Sequence, residues 1–131
     1  MESEIILFAS SLFLTFFITR VLAYKLHDRE NYGTAREKSK TLTGFLRKRT
    51  GWDIHHLHFG ILFLLILIPL ILFYSLNSIL IIFLAISLSL FLDQAVPWVA
   101  NEESYFSRKN LAVSAVAHII VALIFVQIMI S

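Results

Sequence analysis

The sequence predicts an all-α membrane protein: four transmembrane helices in an antiparallel bundle, with both termini on the extracytoplasmic side. Three observations predict it. The 131 residues are 58% hydrophobic with a mean hydropathy of +0.80, too apolar for a soluble domain of this size. The apolar residues gather into four runs of about 20, each long enough to cross a ~30 Å hydrocarbon core at about 1.5 Å per residue. The basic residues avoid those runs almost entirely.

The spans are expected at residues 5–24, 54–75, 78–99 and 111–130 of one membrane domain covering 1–131. A backbone in lipid must satisfy its own hydrogen bonds, which selects helix over isolated strand. The opening Met-Glu-Ser-Glu offers neither a basic n-region nor a small-residue cleavage site, so the first run is read as a retained span. The second and third runs are separated only by "SLNS", a tight hairpin that makes them neighbours.

All eleven Lys and Arg lie between Arg20 and Arg49 or at Arg108 and Lys109, whereas the opposite side carries Glu2 and Glu4. The positive-inside rule then makes 25–53 and 100–110 cytoplasmic loops of a multi-pass protein in the cell (inner) membrane. The chain has no cysteine, so disulfides and thiolate ligands are excluded and any metal must be held by N and O donors.

The first loop ends in "FLRKRTGW". Arg47, Lys48 and Arg49 between aromatics read as an interfacial anchor against lipid phosphates, or as a grip on an anionic headgroup or phosphorylated substrate. Nucleic acid is not an expected partner, because basic juxtamembrane loops are ordinary. Trp52, Trp98, Tyr24 and Tyr105 read as an interfacial aromatic belt.

The second span opens with "WDIHHLHFG". Asp53 is the expected N-cap, with Trp52 and Leu57 as a hydrophobic staple. His55 and His58 share a face, and His56 is turned about 100° away toward another partner or the headgroups. The helix dipole disfavours imidazolium there, leaving the neutral form that binds metals. Gly60 suits close helix approach.

Polar residues of the other spans gather at the same leaflet. Asp93 stands in the third span with Ser89 on its face, and an ionisable group at that depth is a functional candidate by default. Asn110, Ser114 and His118 form a stripe at i, i+4, i+8 of the fourth span. The expected metal ligands are therefore His55, His58, Asp93 and His118, holding zinc or non-haem iron in the bundle interior. His118, Glu102 and Glu103 are the expected acid–base groups, and Arg47, Lys48, Arg49 and His56 the headgroup contacts. The competing reading of Asp93 is a structural ion pair with Arg20 or a hydrogen bond to a histidine; that of His118 is a bond to Ser114 or Asp93.

The clustered histidines at a helix end resemble the His boxes of membrane desaturases and hydroxylases. Those families spread more histidines, in HxxHH-type boxes, over longer chains, and no residue roles are carried over from them.

Four functions follow from these residues. The first is a metal-dependent enzyme acting on a lipid-linked or anionic substrate. The second is an oligomeric ion or proton transporter, disfavoured by the apolar outer halves of the second and fourth spans. The third is a b-type haem anchor or electron carrier, with His58 and His118 as axial ligands. The fourth is a non-catalytic assembly subunit. The expected partners are the lipid bilayer and a second copy or another membrane subunit.

Overall fold

A computed structural model describes residues 1–26, 42–50, 55–99 and 105–131, excepting the side chains of Arg47 and Trp98. The described residues form helices and no strand. The five helices are α1 (Glu2–Leu26), α2 (Leu42–Thr50), α3 (His56–Tyr74), α4 (Ser78–Val99) and α5 (Arg108–Ile130). Four of them, α1, α3, α4 and α5, are long and apolar enough to cross a membrane. α2 is short and basic. Leu42 and Phe45 on it are exposed, a pattern suited to lying along an interface rather than across it.

α4 is the central element. It packs against α3, α1 and α5, and α1 also touches α5. Sequence explains this choice. α4 carries small residues at regular intervals, and Ile81, Ala85, Ser87 and Ser89 are all buried. α3, by contrast, exposes Leu65, Ile66, Leu72 and Phe73, as expected of a helix whose outer face meets lipid rather than protein.

At one end of the molecule Phe8 stacks on Phe125 with ring centroids 3.8 Å apart. Leu12, Ile81 and Ala85 complete that apolar core. The start of α1 thus lies beside the start of α4 and the end of α5. At the other end, Gly60 of α3 meets the backbone of Ser87, Leu90 and Phe91 of α4. A Cβ on Gly60 would stand 2.7 Å from the Phe91 nitrogen and 2.9 Å from the Ser87 carbonyl oxygen. Only a hydrogen in place of a side chain permits that approach.

The turn between α3 and α4 is short. Asn77 Oδ1 accepts from the N–H groups of Ile79 and Leu80, both at 3.1 Å, which satisfies two of the donors that open α4. Ser107 does the same for α5, accepting from the Asn110 N–H at 2.9 Å.

The start of α3 differs from expectation. The helix begins at His56, with His55 as its N-cap in an extended conformation. His58 Nδ1 accepts from the His55 N–H at 3.1 Å. An imidazole here performs the reach-back that a Glu or Gln performs in a capping box. Asp53 and Trp52, the expected cap and staple, lie outside the described residues.

Candidate functional site

Asp93 is the centre of the polar interior. It stands late in α4, in the turn before Pro97, and is 0% exposed. Its carboxylate has four neighbours. Arg20 Nε donates to Oδ1 at 2.6 Å and the Ser114 hydroxyl donates to the same oxygen at 3.1 Å. The Tyr105 hydroxyl donates to Oδ2 at 2.5 Å, and His56 Nε2 lies 3.2 Å from Oδ2. A carboxylate offers about four lone-pair positions, and hydrogen bonds from Arg20, Ser114 and Tyr105 occupy three of them.

Arg20 is equally well held. Near the end of α1 it is only 4% exposed. Besides Asp93 Oδ1, its guanidinium donates to the Tyr105 carbonyl at 2.8 Å, the Asn110 side-chain oxygen at 2.8 Å and the Asp93 carbonyl at 3.2 Å. The guanidinium also lies over the Tyr105 ring, 4.1 Å from its centroid. This arrangement uses the planar fork and flat face of Arg, which a Lys cannot reproduce. A buried charge persists only when paired and hydrogen-bonded in this way.

Ser114 links this pair to His118. The Ser114 carbonyl accepts from His118 Nδ1 at 2.7 Å, and Ser89 Oγ lies 3.0 Å from His118 Nε2. A carbonyl can only accept, so Nδ1 carries the proton and, in the neutral ring, Nε2 accepts from the Ser89 hydroxyl. The Phe16 ring lies 4.4 Å from the imidazole, centroid to centroid.

The structure therefore brings together some of the expected site residues. Asp93, Ser89, Asn110, Ser114 and His118 form one buried network. His56, expected at the headgroups or another partner, reaches Asp93. His55 and His58 stand at the start of α3. Their rings stack 6.4 Å apart at the cap of α3, and His58 is exposed. His58 Nδ1 lies 3.1 Å from the His55 nitrogen and 3.3 Å from the His55 carbonyl oxygen, so its closest polar neighbours are the backbone of its own cap. Among the described residues, no group of three or more His, Asp or Glu is arranged to hold a metal ion. Both ring nitrogens of His118 have protein partners. Glu102 and Glu103 lie outside the described residues, as does the side chain of Arg47, while Lys48 and Arg49 are exposed on α2.

Two residues carry more than the sequence suggested. Tyr105, read as part of an aromatic belt, is buried and bonds both members of the ion pair. Arg20 was visible only as one competing partner for Asp93. Its place near the end of α1 gave no further sign, and the packing of α1 on α4 brings it to Asp93.

Beside this network runs an apolar groove of about 420 Å³. Thr19, Leu22 and Ala23 of α1 form one wall, Leu42 and Thr43 of α2 another, and Phe59 and Phe63 of α3 a third. His56 also lines it. One imidazole therefore borders both the groove and the buried carboxylate.

Comparison of the chain with protein-family models, curated proteins and solved structures finds no match. Fold and site define a class: a helical protein with four apolar helices compatible with a multi-pass membrane protein, enclosing an Arg–Asp–Tyr–His network.

Proposed function

We propose that this protein binds an amphiphile, apolar chain inward, in the groove beside His56, on the cytoplasmic side of the cell membrane. The supporting observation is the double position of His56, which lines the groove and lies 3.2 Å from Asp93 Oδ2. The groove volume of about 420 Å³ lies within the range of small-molecule sites, and its apolar walls with a few convergent polar groups are the usual composition of such sites. In this reading the Arg20–Asp93 network orients His56, and His56 offers its second ring nitrogen to the polar end of the ligand.

The reading includes an antiparallel arrangement of α1, α3, α4 and α5 with both termini extracytoplasmic. Its support is the placement of all eleven Lys and Arg at one end of the apolar runs. The groove then opens at the inner leaflet, within reach of membrane amphiphiles.

Photo-crosslinking tests it. A lipid with a photoactivatable group on its acyl chain should label Leu22, Phe59 and Phe63 in preference to the exposed Ile119, Leu123 and Ile128 of α5. Uniform labelling of both surfaces would reduce the groove to ordinary lipid-facing protein.

A further inference from the structure

We propose that the ligand of the groove is an anionic phospholipid, its headgroup held by Lys48 and Arg49 of α2 together with His56. The inference rests on the amphiphile reading above and adds the charge class of the head.

The charge balance around the groove carries it. Among the described residues, no acidic side chain lines the groove. The carboxylate behind His56 is Asp93, whose charge is matched by the buried guanidinium of Arg20 at 2.6 Å. It therefore projects little negative field toward the ligand. Besides His56, the groove is lined by Leu42 and Thr43, the first two residues of α2. The positive end of that helix's dipole borders the groove and favours a nearby anion. Lys48 and Arg49 follow on the same short helix and are exposed, about 9 Å further along its axis at 1.5 Å per residue. α2 also exposes Leu42 and Phe45, the apolar complement of a helix lying in a headgroup layer. A tail in the groove thus leads to a head beside an imidazole and two cations. A zwitterionic head would bring a second positive group into this already positive surround.

Purified protein in detergent is titrated with phosphatidylglycerol and with phosphatidylcholine of identical acyl chains, and bound lipid is counted by native mass spectrometry. The inference expects phosphatidylglycerol to bind preferentially. The double variant Lys48→Gln/Arg49→Gln should lower that preference roughly tenfold or more, since each Lys or Arg near an anionic surface is worth about 1 kcal/mol, or roughly fivefold. Raised salt should act in the same direction. Leu22→Trp, which fills the groove from an exposed position, should remove binding of both lipids. Leu42→Trp on the opposite wall serves if Leu22→Trp does not fold. Equal binding of the two lipids, still lost in Leu22→Trp, keeps the groove and overturns the anionic assignment. Binding unchanged by both tryptophan variants overturns the groove reading itself. Displacement of phosphatidylglycerol by free glycerol phosphate would identify a soluble phosphate as the ligand and overturn the lipid assignment.

Discussion

Arg20 Nε and Asp93 Oδ1 lie 2.6 Å apart, joining α1 to α4 across the interior. Their positions differ by 73 in the chain. Both side chains are withdrawn from the surface, so the pair is worth far more intact than half removed.

Breaking this pair on one side is the first test. Arg20→Leu should leave Asp93 buried without its main counter-charge and lower stability by about 3–5 kcal/mol. The double variant Arg20→Leu/Asp93→Leu should recover a large part of that loss. Thermal or denaturant unfolding in detergent reads both. A double variant no more stable than the single one would show that the network acts otherwise than as a mutually compensating pair.

Tyr105→Phe isolates one hydrogen bond. The ring remains over Arg20 and keeps its cation–π contact, while Asp93 Oδ2 loses the hydroxyl at 2.5 Å. The expected cost is about 1–3 kcal/mol. A change under about 0.5 kcal/mol would return Tyr105 to the aromatic belt.

Gly60→Ala tests the approach of α3 to α4. Alanine is the better helix former by about 1 kcal/mol, yet its Cβ would press on backbone atoms at 2.7 and 2.9 Å. Backbone cannot swing aside as a long side chain can, so the helices must separate. Net destabilisation of about 1–3 kcal/mol is expected, and Gly60→Leu should lose the folded protein. A stabilised Gly60→Ala would mean that α3 sits farther from α4.

His58→Ala separates a cap from a ligand. Loss of the contact to the His55 N–H should cost about 1 kcal/mol, the usual scale of a helix cap. Elemental analysis of the parent and the variant should give the same metal content. A stoichiometric metal in the parent that vanishes in His58→Ala would instead favour the metal-dependent enzyme.

Ser89→Ala should remove the partner of His118 Nε2, leaving a buried imidazole nitrogen unpaired at about 1–3 kcal/mol. Unfolding midpoints of the variant check this. If it proved neutral, the Ser89 bond would be incidental to the packing of His118 against Phe16.

The four long apolar helices were legible because composition and length alone mark them. Expected boundaries at 54–75 and 78–99 fall within two residues of α3 (His56–Tyr74) and α4 (Ser78–Val99). The stripe Asn110, Ser114, His118 was also readable, since i, i+4 spacing puts residues on one face whatever that face meets. Asp93 stood out because an ionisable side chain in an apolar run needs a reason to be there.

Partner choice was not legible. Helical periodicity says which residues share a face, but not which neighbouring helix that face meets, or at what height. His55 and His58 had the spacing of a site and became a helix cap, because a backbone N–H three residues away is a nearer partner than any other span. Arg20 and His56 converge on Asp93 only because α1 and α3 both pack on α4, and Tyr105 reaches it from the turn before α5. The sequence by itself determined the four apolar helices and the end at which their charges collect. The tertiary structure decided which of those charges meet, since that depends on contacts between residues far apart in the chain, where short-range spacing carries no information.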